Sequence, residues 1–490
     1  MQIPILSIII FLPLAAGLAI LLMPAGRPQW VHWTALIVSS LVLVLSFGVY
    51  FSYNIQAGGY QFVESVAWVP ALGITYAVGV DGISLPLVLL AGIVIFTGSA
   101  ISWRIEDRPR EFYAFLMFLG ASVLGVFCAL DLFLLFFFFE LAVFPKYLMI
   151  VVWGSPKTRE YGGMKLTLFL FIGSVIALLG VLAIYFQSGL NTFDLLALEK
   201  ADFPVRFQTI WFPIVFLGFA ILGGMFPFHS WAPDGHVAAP TAISMLLAGV
   251  EMKVGAFAAL RVAMLLLPEG AHQWSWLILV LATINVVYGA LIALIQTDFK
   301  YVIGFSSVSH MGLVLIGLAV MNRNGLVGAS LQMFSHGIMT ALFFAIVGMV
   351  YDRSHTRDIA RLGGLVKVMP LAAVGFIIAG LVSMGMPGFS GFIAEFPIFM
   401  GAWQAAPLVA VIAVLGVIVT AGYILLVVRR VFFGEMPAEL TGKIADVSVL
   451  DKVSIILLAF LMVALGVFPS LMAPLVNSGV DRILVLLGGG

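Results

Sequence analysis

The sequence predicts an all-α polytopic membrane protein, and three observations carry that reading. Of 490 residues, 63% are hydrophobic and 9% charged, against about 25% charged in a soluble protein. Apolar runs long enough to cross a bilayer, which takes about 20 residues, recur along the chain. Lysine and arginine fall mostly in every second gap between those runs, as the positive-inside rule expects.

The runs predict fourteen helices, near residues 3–23, 32–52, 83–102, 113–129, 131–153, 165–187, 208–227, 241–266, 274–295, 301–320, 327–350, 369–400, 408–433 and 453–475. The first resembles a signal-peptide core. No basic stretch precedes it, so it reads as a retained first helix. Segments 53–82 and 191–206 are the largest pieces expected outside the membrane. With no soluble domain and no long linker, residues 1–490 read as a single transmembrane domain. Gaps after odd-numbered helices hold sixteen of the 23 basic residues; the opposite gaps hold Lys200, Arg206, Arg261, Arg323 and Arg482. That bias places the basic gaps in the cytoplasm and both termini on the outer side.

Composition also excludes classes. A net charge of zero argues against a basic nucleic-acid binder. The single cysteine, Cys128, cannot ligate an iron–sulfur cluster or a four-thiolate zinc, nor close an internal disulfide. No nucleotide-binding glycine motif follows a strand. Any redox chemistry would take place in other chains.

Residues 222–261 organise the rest. An apolar helix runs into Pro227, which lacks an N–H and disrupts the helical ladder. His229, Ser230, Asp234 and His236 follow at membrane depth. A new apolar run from Ala242 then carries Glu251 and Lys253 near its middle. Broken backbone at that depth is tolerated only inside protein or beside water. The stretch reads as part of a hydrated ion path. A second break, in GMPGFSGFIAEF at 385–396, again sets an acid, Glu395, after a proline. Paired breaks in the seventh and twelfth helices point to inverted repeats with a site at the midplane. The repeats would be helices four to eight (113–266) and nine to thirteen (274–433), inverted because each holds an odd number of helices.

Ionisable residues within spans are functional candidates by default. Glu140 lies about nine residues into its helix, near mid-depth. A packed, protonated carboxyl is the alternative, but a buried charge is costly. Lys253 is far from either helix end, and burial moves a lysine's pKa toward neutrality, where it can exchange a proton. Its alternative is a snorkelling lysine. Glu251, two residues away, points about 200° round the helix and faces another path or a neighbouring subunit. Glu395 is eight residues past Pro387, too far to cap the break. Lys146, six residues after Glu140, lies about 9 Å along the helix and off its face. His229, His310 and His336 read together as a proton relay, with Ser306, Ser307, Ser309 and Thr340 holding water between them. Singly, each is equally a neutral core histidine. Metal binding is the weaker reading, since no His/Asp/Glu pair has i, i+3 or i, i+4 spacing within a span. Asp81, Asp234 and Asp298 read as caps and interface anchors, and His32, His272 and His355 as solvated.

The stretches PFHSWAPDGHVAAPTA and AGVEMKVGAFAALR resemble the motif of the antiporter-like subunits of respiratory complex I and their Mrp-antiporter and hydrogenase relatives. TDFKYVIGFSSVSHMG, FSHGIMTALFF, YDRSHTRDIARLGGL and, near the start, GVDGISLPL resemble further family blocks. The likeness covers roughly residues 75 to 435. An acid at Glu395, where the sister L- and N-type chains have a lysine, points to the M-type, chain 4 branch.

The resemblance implies fourteen helices with inverted five-helix repeats, and proton pumping driven by quinone reduction elsewhere in a complex. It implies flavin, iron–sulfur clusters and quinone in partner subunits and no cofactor in this chain. It also implies L-type and N-type neighbours on either side in an energy-transducing membrane, the bacterial inner membrane. Glu140, Lys253, His336 and Glu395 match the family's proton-transfer residues. The chain departs from the family at Leu222, where a lysine usually partners the fifth-helix glutamate. Lys146 stands where the family usually has an apolar residue, so the expected partner of Glu140 is Lys146. The same residues would serve an Mrp-type Na⁺/H⁺ antiporter, or the pump chain of a membrane hydrogenase or of a ferredoxin-, F420- or plastoquinone-linked complex. A structural subunit that has lost transport would not retain costly buried charges.

Overall fold

A computed structural model describes residues 3–24 and 26–488. The fold is an all-α membrane bundle. Among the described residues, twelve helices are long and apolar enough to cross a bilayer. The shorter Ile5–Leu21 and the interrupted pair Pro370–Ser383 and Ser390–Ala405 complete the fourteen expected spans.

Four spans form the centre: Ser84–Ile101, Thr241–Met264, Phe299–Ala319 and Arg323–Ser354 are buried over nearly their whole length. They carry apolar residues on every face, as helices enclosed by others must, with a few buried polar and charged side chains set among them. The spans Pro28–Ser52, Arg159–Ser188, Pro268–Ile295 and Pro407–Val427 surround them and leave large apolar side chains facing outward.

Breaks are more frequent than the sequence suggests. The seventh span stops at Leu222 and is followed by a short helix, Trp231–Ala238. The twelfth breaks between Ser383 and Ser390. The fifth is also two segments, Leu132–Leu141 and Val143–Trp153, joined at Ala142. Pro145 explains that join, because its ring clashes with the carbonyl four residues back, that of Leu141. The eighth span holds two π-helical segments, Leu247–Glu251 and Ala259–Met264, on either side of the α-helical turns Met252–Ala258. Such segments often mark functional sites.

Two elements outside the membrane were not anticipated. Segment 53–82 folds as an antiparallel hairpin of Gln61–Val69 and Ile74–Val80. Its Glu64 carboxylate accepts hydrogen bonds from the backbone N–H groups of Leu6 and Ser7, at 2.8 and 3.0 Å. It thereby caps a first helix that has no side-chain cap of its own. After the fourteenth span, Val449–Val467, an amphipathic helix Ala473–Leu486 returns over the same end of the bundle and places Arg482 against Glu199.

Asp81, expected as a cap, does accept from the N–H groups of Ile83 and Ser84. It also pairs with the buried Arg261 of the eighth span. Burial alone would raise the Asp81 pKa, but Arg261 and those two N–H groups hold it below the ordinary value of 3.8. A depressed carboxylate stabilises the fold above its unfolded pKa, and the contribution is lost as pH falls through the folded value. Replacing Asp81 by asparagine would strand the Arg261 charge, at a cost of about 3 kcal/mol or more. The melting midpoint of D81N in mild detergent is therefore expected below wild type at pH 7, with the gap closing at acid pH. Equal midpoints at pH 7 would contradict the assignment.

Candidate functional site

Lys253 sits in the α-helical turns between the two π segments of the eighth span. Its side chain is fully buried, and its ammonium donates to the carbonyl of Ala248. The broken seventh span packs tightly here: a Cβ on Gly255 would lie 2.7 Å from the carbonyl oxygen of Phe219. The break and the lysine are thus held together by a residue with no side chain.

From Lys253 the polar line continues into the tenth and eleventh spans. His336 is fully buried, and neither of its ring nitrogens has a partner among the described residues. Its ring stacks on that of His310, with centroids 5.3 Å apart. Lys253 and His310 are both within electrostatic reach of it. His310 then meets Glu395: its Nδ1 lies 3.2 Å from Oε1 of the carboxylate. Gln332 donates to the same oxygen at 3.1 Å. The Nε2 of His310 is 2.9 Å from the hydroxyl of Ser383. Glu395 caps nothing in the break. Its second oxygen is buried without a partner and rests against Gly385, at 2.7 Å from where a Cβ would be. Gly385 has φ +62°, a conformation that favours glycine.

Other expected members lie elsewhere. His229 is buried against Phe226 and Tyr288, away from the His310–His336 stack. Ser307 and Thr340 donate to carbonyls four residues back in their own helices, and Ser309 to Val286. Ser306 alone of the four joins a side chain, accepting from the hydroxyl of Tyr423 at 2.7 Å.

The charged residues of the fifth and eighth spans pair differently from the expectation. Lys146 is buried and joined to Glu251, not to Glu140. Glu251 therefore faces inward to the fifth span rather than to a neighbouring chain. Their six-residue spacing sets Lys146 about 240° round the span from Glu140, on the side that meets the eighth span. Glu140 is half-buried at the side of the bundle, between the exposed rings of Phe137 and Phe144. One of its oxygens is buried without a partner.

At the end of the bundle with the basic loops, a cavity of about 440 Å³ is lined by Ser102, Arg104, Thr241, Lys300, Asp352 and Arg357. Lys300, at the start of the tenth span, is buried and donates to the carbonyl of Ala239 at 2.6 Å. His236 is fully buried, with both ring nitrogens unpartnered, within electrostatic reach of Lys300 and Lys253. Asp234 is no cap; it pairs with Lys165 at 2.7 Å and accepts from Tyr301. His32 is not solvated but buried between Trp103 and Tyr113.

Buried lysine, histidine and glutamate thus sit beside broken helices in an otherwise apolar bundle. The family described as NADH:quinone oxidoreductase/Mrp antiporter, TM matches residues 129–420. NADH-quinone oxidoreductase subunit M of Rhodobacter capsulatus is 38% identical, over 98% of this chain and 96% of that one. The chain belongs to the antiporter-like M-type, or chain 4, family of NADH:quinone oxidoreductase subunits. NAD(P)H-quinone oxidoreductase chain 4 of Gloeobacter violaceus is 34% identical over 98% of this chain and 92% of its own. Among solved structures, a chain of respiratory complex I from Thermus thermophilus with bound NADH superposes with TM-score 0.91 at 29% identity, covering 99% of this chain and all of that one. A chain of the Mrp complex from Dietzia shares the fold, with TM-score 0.87 at 21% identity, covering all of both chains.

Within this M-type member, sequence reasoning missed Gln332, Ser383 and Tyr423, which complete the polar surroundings of His310, Glu395 and Ser306. Each is a neutral residue in an apolar helix, with no charge to draw attention. His236 reads from the sequence as a polar group at membrane depth with no assigned role, and Lys300 sits at a helix start, where polar side chains are ordinary.

Proposed function

We propose that this chain is a proton-translocating subunit of NADH:quinone oxidoreductase, with Lys253, His336, His310 and Glu395 as its transfer line. The observation that carries the reading is the run of buried titratable groups joining the centre of the bundle to the break in the twelfth span. Buried polar atoms without protein partners are where water binds, and His336 and Glu395 supply three of them.

Protons enter from the cavity beside Lys300 and reach Lys253 by way of His236. They pass through His336 and His310 to Glu395 and leave on the far side. Each transfer is a change in relative pKa between neighbours, about 1.4 kcal/mol per unit. The basic loops lie in the cytoplasm and the first and last helices open to the outer side of a bacterial inner membrane. Two inverted repeats, 113–266 and 274–433, within a single domain, would set the breaks of the seventh and twelfth spans at corresponding positions. This chain holds no redox centre; flavin, iron–sulfur clusters and quinone belong to partner subunits, and quinone reduction there supplies the drive. Glu140, at the side of the bundle, faces an adjacent antiporter-like chain of the L or N type, and His229 serves a separate branch near Tyr288.

The test is the intact complex purified through this chain, identified by mass spectrometry and sealed into vesicles. NADH with a quinone is expected to acidify the lumen, with peripheral flavin and iron–sulfur subunits in the preparation. Sodium-dependent pH exchange without redox input, and only small membrane subunits present, would replace the reading with an Mrp-type antiporter.

A further inference from the structure

Both ring nitrogens of His310 are committed. Nδ1 faces Oε1 of Glu395 at 3.2 Å, and Nε2 lies 2.9 Å from the hydroxyl of Ser383. Neither is bonded to His336. The two rings are stacked, 29° from parallel with centroids 5.3 Å apart, and neither nitrogen of His336 has a hydrogen-bond partner among the described residues. An imidazole N–H lies in the plane of its ring, and a hydrogen bond needs it aimed at the acceptor. The stack therefore offers no direct route from nitrogen to nitrogen. Gln332 lies 3.5 Å from Nδ1 but donates to Glu395 at 3.1 Å, and a neutral amide is not a proton-transfer group. A proton reaching His310 on its way to Glu395 has one way in, at Nε2, and Ser383 stands there.

The placement of Ser383 supports that role. It is fully buried and ends the helix Pro370–Ser383, at the near edge of the break, while Glu395 lies beyond it in Ser390–Ala405. Ser307 and Thr340 donate to carbonyls of their own helices; the hydroxyl of Ser383 is bonded to His310 instead. Ser383 and Glu395 are twelve residues apart, which in an unbroken helix is about 18 Å along the axis. The break folds both onto opposite nitrogens of one ring.

We propose that Ser383 is a member of the transfer line, the hydroxyl through which protons enter His310. With Glu395 ionised, Nδ1–H donates to the carboxylate and Nε2 accepts from Ser383. A hydroxyl has one proton and two lone pairs, so while it donates to Nε2 it can accept from water bound at the nitrogens of His336. That water gives a proton to the serine oxygen, the hydroxyl's own proton passes to Nε2, and the Nδ1 proton passes to Oε1 of Glu395. One proton enters the ring and one leaves it, and no charge stays on the serine. The hydroxyl turns from donor to acceptor as the ring changes tautomer.

The experiment presupposes the proton-translocating reading above and uses the whole complex in vesicles, with quinone reduction and proton uptake measured separately and assembly checked on native gels. Ser383→Val and Ser383→Thr form the decisive pair, because valine and threonine share a shape and differ in the hydroxyl. S383V is expected to lower proton uptake about tenfold or more, and S383T to keep about half of wild type or better. Wild-type uptake in S383V would overturn the inference. So would an equal loss in both variants, which would show that shape and not the hydroxyl matters. Where the added methyl prevents assembly, Ser383→Ala decides, with a loss of about tenfold expected and wild-type uptake overturning the inference. A wild-type complex that reduces quinone without moving protons would instead remove the reading on which the inference stands.

Discussion

Lys253→Met is expected to abolish proton uptake by the reconstituted complex while leaving the protein at least as stable as wild type. The two halves of that result have separate causes. Lys253 is fully buried and its ammonium has a single backbone partner, Ala248. Methionine fills a similar volume with a flexible side chain and removes the cost of burying a cation. What it cannot do is accept and release a proton. A positioned proton-transfer group contributes about 100-fold or more to the rate of its step, so uptake should fall by about that factor. The comparison is uptake per vesicle together with a melting curve on the same preparation. Unimpaired uptake would mean that the line bypasses Lys253. Lost uptake with a collapsed melting midpoint would mean that the lysine is there for the fold.

Glu395→Gln is the second large effect. Glutamine keeps the shape of the side chain and an oxygen to accept from Gln332, now at 3.1 Å. It loses the exchangeable proton and the negative charge facing Nδ1 of His310, at 3.2 Å. Release toward the outer side is then interrupted at its last buried group, and uptake is expected to drop about tenfold or more. A companion variant, Gly385→Ala, leaves the carboxyl chemically intact but places a methyl against its free oxygen on strained backbone. It should impair uptake in part. If E395Q pumps like wild type, protons leave by another route.

The spans were legible because a bilayer imposes one rule, a long apolar run, and few sequences satisfy it by accident. Lys253 and Glu395 were legible for the complementary reason, a charge where none is cheap. Side-chain partnerships were not. Lys146 and Glu140 share a helix, and their six-residue spacing sets them on different faces, but nothing in it shows that Lys146 meets Glu251, a hundred residues away. Glu251 could be placed round its own helix from 3.6-residue geometry, but not against its neighbour. His229, His310 and His336 look equivalent as letters; only packing separates the stacked pair from the one beside Tyr288. The hairpin at 61–80 was passed over because two short strands give a weak alternation beside so much helix.

The two π segments of the eighth span have a consequence for how this protein tolerates changes in length. A π turn is an α-helix that has absorbed one surplus residue. Removing one residue from 247–251 or from 259–264 would tighten that turn to α and leave both flanks in register. The same deletion in 252–258 would rotate everything beyond it by about 100° and draw it in by about 1.5 Å. Lys253 therefore lies in a short section with spare length at either end, and single-residue deletions in this helix should be accepted at its two margins and refused in between.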